Sequence, residues 1–304
     1  MILLTGATGT LGRPLLARLI GAGMDVRCLV REPRRLGPAR VQVQIAIGNL
    51  ADHHGLARAL RGVDTVIHLG ATTRDQSHGS IERVNGIGTA RMVAAARHAN
   101  VRRFVYVSSI GASRNAASRY IRTQALARDA VAAGDFESLI FETSIVYDPG
   151  DRWIELLRRM SRLPMMPVPG GGRARFQPIW ASDAADAITA ALLTGQSGAG
   201  EEVGRWDADT NSRYIELAGP QILTHDEILR TVMRSFGRHR PLLHVPRELT
   251  RKMLRLQEWY LGPGAPATWD EAVLMEYSSV ATRGTADVEA LGVQPMEIGV
   301  VLGG

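Results

Sequence analysis

Seven residues near the start of the chain, Gly6-Ala7-Thr8-Gly9-Thr10-Leu11-Gly12, have the types and spacing to hold a phosphate. Gly6 can make a tight turn, Gly9 lets backbone approach a pyrophosphate closely, and Gly12 lets a helix pack against a strand. Three glycines say little in a chain that has 32. Their setting says more. Ile2-Leu3-Leu4 reads as a short buried strand before them, and Leu15, Leu16, Leu19 and Ile20 read as one apolar helix face after them, with Pro14 in the first turn. A strand, a glycine turn and a helix N-terminus together present free amides and a positive dipole end to an anion.

Other reactive side chains are less organised. Of the eight histidines, His53 and His54 stand side by side at a helix start with no partner at a ligand spacing, and His68 falls mid-strand as a buried, hydrogen-bonded residue; no metal site is expected. No serine sits in a nucleophile-elbow frame. Cys28 is the one cysteine, so disulfides are excluded, and a reducing cytoplasm fits. The net charge of +6 comes almost wholly from arginine, Lys252 being the only lysine. These arginines are scattered without aromatic interleaving, which argues for a solvated basic surface and against a nucleic-acid partner.

The elements that must position the glycine turn follow from periodicity. Strands are expected at 24–30, 41–45, 65–69, 104–108 and 138–141, and helices after Asp52, over 80–98 and over 119–133. The run Thr65-Val66-Ile67-His68-Leu69 is apolar without alternation, as in a parallel strand covered on both faces. Alternating strand and helix predicts an α/β fold, a Rossmann-type doubly wound parallel sheet. Beyond Tyr147 the pattern loosens into a smaller C-terminal α/β lobe. A helix covers 153–160, a proline- and glycine-rich connector 164–172, a strand 176–180, a helix 183–193 that returns to the first domain, and a strand 214–217. Thr224-His225-Asp226-Glu227 matches a capping box. The expected division is therefore a nucleotide domain over 1–150, also receiving 174–195, and a substrate or partner lobe over 151–304. At 45% apolar and 22% charged, with no leader or bilayer-length apolar run, the chain reads as soluble, made without a signal peptide and cytoplasmic. The helix expected over 248–261 places Leu249, Met253, Leu256 and Tyr260 on one face; packing on its own lobe is the favoured reading, with a membrane surface or partner as the alternative.

With these pieces placed, the sequence resembles the short-chain dehydrogenase/reductase superfamily, in its extended and atypical branches of NAD(P)-binding epimerase-like and NmrA-like proteins. The resemblance rests on Thr5 to Gly12, on Val63-Asp64-Thr65-Val66-Ile67-His68-Leu69, on Val84-Asn85 with Gly88-Thr89, on Arg103 to Ser109, on Arg175-Phe176-Gln177-Pro178-Ile179 with Asp183, and on Ala218-Gly219-Pro220 with Leu223-Thr224. The pattern is similar to relatives of the nucleotide-binding accessory subunit of respiratory complex I.

The resemblance implies a dinucleotide site. Gly6, Gly9 and Gly12 would line the pyrophosphate, Thr8, Thr10 and Leu11 would offer backbone amides, and Leu69, Gly70, Ala71 and Val107 would pass beside the cofactor. Asn49, followed by Leu50, takes the place of an adenine-contacting aspartate. Where an NAD-preferring relative has a carboxylate at the end of the second strand, this chain has Arg31. With Arg13 it forms a clamp suited to a 2′-phosphate, so NADP(H) is expected over NAD(H); the alternative is that both are solvated surface charges. In active relatives a serine polarises the carbonyl, a tyrosine moves the proton, and a lysine four residues later lowers the tyrosine pKa. Ser109 and Tyr120 match the first two, and Gln124 occupies the lysine position. Glutamine can bond a ribose hydroxyl but brings no charge to the phenol. Arg128, two turns on, is the remaining same-face cation. A usual Leu-Arg-Pro after the sixth strand is replaced by Phe141-Glu142-Thr143. These departures predict an NADP(H)-binding structural, sensing or assembly protein with impaired hydride transfer. The competing expectation is an active oxidoreductase or epimerase using Tyr120 and Ser109. A small-molecule substrate or a protein partner fits either.

Overall fold

Successive strand residues point to opposite faces of a sheet, so runs such as Leu3-Leu4 and Val66-Ile67 demand cover on both sides. A computed structural model of the chain describes residues 1–77, 79–194 and 203–303 and supplies that cover. Strand and helix alternate as β1 (Ile2–Thr5), α1 (Gly12–Gly21), β2 (Val26–Val30), β3 (Gln44–Ile47), α2 (His53–Ala59), β4 (Thr65–His68), α3 (Gly88–His98), β5 (Arg103–Ser109), α4 (Arg119–Ala132) and β6 (Glu137–Thr143). There follow β7 (Val146–Tyr147), α5 (Arg152–Met160), β8 (Met166–Pro169), β9 (Arg175–Phe176), β10 (Ile179–Trp180), α6 (Ala181–Thr194), β11 (Arg205–Asp207) and β12 (Ser212–Leu217). The chain closes with β13 (Leu223–Thr224), α7 (His225–Ser235), β14 (Leu242–Val245), α8 (Arg247–Leu261), α9 (Trp269–Leu274), α10 (Ala286–Ala290) and α11 (Ile298–Val301).

The main sheet runs β11-β12-β6-β5-β4-β1-β2-β3, parallel except for the β11–β12 pair. This is the expected Rossmann-type doubly wound sheet. Leu4, Cys28, Ile67 and Val105 form one core with Leu15 and Leu19 of α1 and Ile188 of α6. Leu3, Val66, Phe104 and Tyr106 form the other with Leu56 of α2, Met92 of α3 and Val131 of α4. Strand order reverses between β1 and β4, and the crevice at their carboxyl ends is where such sheets bind nucleotides. Helix α6 returns to α1, tied by Arg18 to Asp186 at 2.8 Å; residue 195 lies outside the described residues. A third core gathers Tyr147, Ile154, Met166, Phe176, Ile228 and Met233 in the C-terminal lobe.

Several details differ from the sequence expectation. The strand read at 214–217 as part of the lobe is β12, which pairs with β6 in the main sheet. The proline-rich connector contains β8, paired parallel to β14; a two-stranded ribbon tolerates Pro167 and Pro169 because neither amide need donate inward. The helix expected over 80–98 opens with a wide π-type turn, Glu82–Ile87, before α3. There Asn85 is held by Thr72, accepting from its amide at 2.8 Å and donating to its carbonyl at 2.9 Å. The third strand is shifted to Gln44–Ile47, after a 3₁₀ segment broken at Gly37. The capping box at Thr224 and Glu227 is present. Helix α8 departs most. Its apolar face does not pack on its own lobe: Met253 is 59% exposed, Leu256 65%, and Trp259 and Tyr260 80% each. The side of α8 that adjoins this face, with Thr250, Leu254 and Gln257, turns inward.

Candidate functional site

The glycine turn joins β1 to α1 at the crevice. Gly6 has φ +74°, and a Cβ there would come within 2.7 Å of the Leu69 carbonyl carbon, so only glycine lets the loop lie against the end of β4. A Cβ on Gly12 would meet the Gly6 oxygen at 2.0 Å, which is why the helix can start so close to the strand. Gly9 donates to the Gly6 carbonyl at 2.9 Å and accepts from the Arg13 amide at 3.2 Å. The amides of Thr10, Leu11 and Gly12 have no acceptor among the described residues, and the residue preceding α1, Leu11, gives no side-chain cap. Donors left open at a helix N-terminus are the set a pyrophosphate needs, so these residues fit the group.

Arg13 and Arg31 are both exposed and carry no hydrogen bond or ion pair among the described residues. Arg31 directly follows β2, at the sheet's carboxyl edge. Asn49 is exposed and its side chain accepts from the Ala51 amide at 2.7 Å. Leu50 packs against Gly88. Beneath the loop, His68 is fully buried between the Thr5 hydroxyl at 2.7 Å and the Thr89 hydroxyl at 3.0 Å. Burial lowers its pKa to about 4, so it is neutral near pH 7 and serves as a rigid bridge from β4 to β1 and α3.

From this turn a cavity of about 730 Å³ extends into the lobe. Gly6, Gly9, Thr10, Leu11 and Gly12 line one end together with Leu69, Ala71 and Val107; Ser109 and Tyr120 line its middle. Thr8, Arg13, Arg31, Asn49, Leu50, Gly70 and Gln124 lie outside its wall. The far end is formed largely by apolar side chains, among them Leu157, Met166, Phe176 and Leu229, with Met253 of α8 at the rim.

The reactive end is tied together differently. Tyr120 and Gln124 share a face of α4, one turn apart, and Ser118 caps that helix by accepting from the Ile121 amide. Gln124, 1% exposed, accepts a hydrogen bond from the Tyr106 hydroxyl through Oε1. Burial raises the Tyr120 pKa above its ordinary 10, with the neighbouring Gln124 side chain opposing. Tyr106 is raised well above 10, first by burial and then by neighbouring Tyr120, with Arg128 opposing. Arg128 itself pairs with Glu142 at 3.1 Å and donates to the Ala112 carbonyl at 3.3 Å. Arg119 is committed to Glu82, Asp75 and Asp270, and Arg122 to the carbonyls of Ala116 and Ala117. The three arginines of α4 nearest the phenol in sequence are thus all committed elsewhere.

Sequence reasoning missed Tyr106, whose period-two position in β5 puts it on the α4 side, and the Glu142–Arg128 pair. It also missed Arg74. This residue is buried, pairs with Glu271, and donates to the carbonyls of Ala265 at 2.6 Å and Pro266 at 3.2 Å, fastening the segment between α8 and α9 across the cavity. Tyr277, donating to the Gly111 carbonyl at 2.5 Å, closes the same side. A buried arginine foretells some partner; only the fold names it.

Residues 6–147 match a family described as NAD(P)H-binding. The "(4-alkanoyl-5-oxo-2,5-dihydrofuran-3-yl)methyl phosphate reductase" of Streptomyces griseus is 30% identical over 246 residues, covering 78% of this chain and 74% of that protein. The chain belongs to the short-chain dehydrogenase/reductase superfamily. Other relatives in this superfamily include the "Ceramide reductase" of Caulobacter vibrioides, 33% identical over 170 residues, with 55% of this chain and 53% of that protein covered. The mitochondrial "NADH dehydrogenase [ubiquinone] 1 alpha subcomplex subunit 9" of Arabidopsis thaliana is 28% identical over 249 residues, with 77% and 58% covered. The chain thus spans little more than half the length of these last two. Among solved structures, a nucleoside-diphosphate-sugar epimerase from Staphylococcus aureus shares the superfamily fold, with a TM-score of 0.74 at 18% identity over 99% of both chains.

Proposed function

We propose that this chain is an NADP(H)-binding atypical short-chain dehydrogenase/reductase whose proton relay is disabled, and that it acts as a structural, sensing or assembly-type nucleotide binder. The observation that carries this reading is Gln124 at the lysine position, buried and held by the Tyr106 hydroxyl, with Arg128 neutralised by Glu142. Gly6, Gly9 and Gly12 with the open amides would hold the pyrophosphate, and Arg31 and Arg13 the 2′-phosphate. When bound, the dinucleotide supplies a hydride donor or acceptor. Tyr120, raised in pKa and without a cation, is poorly matched to moving the accompanying proton near neutrality. A relative named as a subunit of a larger dehydrogenase fits a protein partner. A cytoplasmic setting suits the free, buried Cys28.

Calorimetric titration tests the reading. NADPH is expected to bind at least about tenfold more tightly than NADH, a difference of about 1.4 kcal/mol, and Arg31→Glu is expected to erase the preference. No saturable NADPH binding would sink the idea.

One observation favours a second reading, an active NAD(P)-dependent oxidoreductase or epimerase. The cavity joins the glycine turn to Ser109 and Tyr120 and continues along an apolar wall, where a relative is named for reducing ceramide. Turnover of an apolar carbonyl compound that is lost in Tyr120→Phe would decide for it.

A further inference from the structure

The feature the nucleotide site leaves unexplained is α8. At about 3.6 residues per turn, Leu249, Met253, Leu256 and Tyr260 form one stripe along this helix. All four are exposed, and Trp259 adds a second aromatic ring beside them. Water should oppose so much apolar surface on one helix, whereas single exposed residues need no explanation. The stripe has two different borders. On one side Thr250, Leu254 and Gln257 turn into the cavity, and Met253 both lines the cavity and is 59% exposed, so it stands at the rim. On the other side stand Lys252 and Arg255, with Arg251 behind them on the face away from the stripe. Arg251 pairs with Glu248 at 2.6 Å, while Lys252 and Arg255 have no ion pair among the described residues. Arg247, at the start of the helix, adds a further cation, spread between Glu276 and the Trp269 ring.

We propose that α8 seats the protein on an anionic phospholipid bilayer, with Leu249, Met253, Leu256, Trp259 and Tyr260 in the headgroup and acyl boundary and Lys252 and Arg255 against the lipid phosphates. Charge complementarity chooses this occupant, because the cations flank the apolar stripe along the same helix, the pattern of a helix lying in a bilayer interface. Tryptophan and tyrosine have an apolar body and a polar tip, which suits that depth. The arrangement also gives the cavity an outlet. A chain-bearing amphiphile leaving the bilayer at Met253 would meet an apolar wall leading toward Tyr120 without crossing water, so the ligand class is a long-chain amphiphile held in the membrane. Arg74 and Arg152 hold the segment that follows α8 through the carbonyls of Ala265 and Pro266, which fixes the helix relative to the cavity mouth.

Flotation of the full chain with vesicles tests the docking. Vesicles of phosphatidylcholine with about 30% phosphatidylglycerol are compared with pure phosphatidylcholine, at low salt and at about 0.5 M salt. The wild type is expected to float with the anionic vesicles, at least about tenfold more strongly than with neutral ones, and salt should weaken this preference. Leu256→Ser with Trp259→Ser and Tyr260→Ser should abolish flotation, and Lys252→Glu with Arg255→Glu should remove the anionic preference. All these positions are exposed, so the melting temperature should stay unchanged; a second triple set, Leu249→Ser, Met253→Ser and Tyr260→Ser, serves if the first does not fold. Absence of wild-type flotation, or equal flotation by the triple variants, would overturn the proposal. So would a wild-type dimer that the triple variant converts to monomer, since the stripe would then be a contact between copies or with another protein. Docking asks nothing of the glycine turn, so NADPH titration of the same preparations separates failure here from failure of the nucleotide-binding reading.

Discussion

The two ends of the cavity contrast in what they leave free. At the glycine turn, the amides of Thr10, Leu11 and Gly12 and the guanidinium groups of Arg13 and Arg31 have no partners among the described residues. Around Tyr120 the groups that could bring charge or a proton are engaged with one another: Gln124 with Tyr106, Arg128 with Glu142, Thr143 with the Ser108 carbonyl at 3.2 Å. Unpaired donors in a structured loop have a cost unless something binds them, whereas satisfied groups resist rearrangement. The difference teaches that the groups able to receive a phosphate and the groups around the phenol are set by different strands, so either end can change without the other.

The strongest way to break this comparison is at Gly12. A Gly12→Val side chain would begin 2.0 Å from the Gly6 oxygen, inside van der Waals contact. It is expected to cost about 2 kcal/mol or more of stability and to abolish saturable NADPH binding, read by thermal melts and titration. Retained binding would mean that the turn is not where recognition resides.

Acid sharpens the comparison with a smaller effect. His68 under the glycine turn and His225 in the cavity wall are both buried, and burial lowers each pKa from 6.5 to about 4. Between those values the unfolded chain binds more protons than the folded one. The stabilisation is therefore whole above pH 6.5 and is lost as pH falls toward 4. The His225 Nδ1 has no hydrogen-bond partner among the described residues, so His225→Leu is expected to flatten the fall in melting temperature over this window at little cost at pH 7. His68, held by two hydroxyls, should retain its share of the slope. An unchanged pH profile in His225→Leu would show that this ring is not neutral by burial.

Gln124→Lys probes the reactive end most gently. A cation beside the phenol should lower the Tyr120 titration midpoint by about 1 to 3 pH units, measured by ultraviolet difference spectra against the same change in a Tyr120→Phe background. If the missing cation is what separates the two ends, slow turnover of carbonyl compounds should appear. A midpoint that does not move would remove Gln124 from the explanation.

What could be read from the sequence divides along physical lines. The β1–α1 turn, the parallel core strands and the capping box at Thr224 depend on residues close together in the chain, and local spacing foretold them. The bond from Tyr106 to Gln124 depends on how β5 and α4 register against each other, and no spacing in the chain encodes it. Periodicity correctly placed Leu249, Met253, Leu256 and Tyr260 on one face of α8. It could not say what the face meets, because an amphipathic pattern is the same whether the apolar side finds a core or a surface. The strand Ser212–Leu217 was legible as a strand, but its pairing to β6 follows a long excursion of the chain through the lobe, where pairing is decided by the edge that β6 leaves free.

That late return to the sheet has a consequence for how the molecule can be divided. A fragment ending just after Tyr147 would contain the whole glycine turn and the strands around it, yet one side of β6 would lose all six residues of β12 that pair with it. Its backbone would form a bare seven-residue edge, open to any extended chain. The sheet that carries the glycine turn is thus not self-sufficient within the first half of the chain: during synthesis it must wait for distant residues before its last edge is sealed.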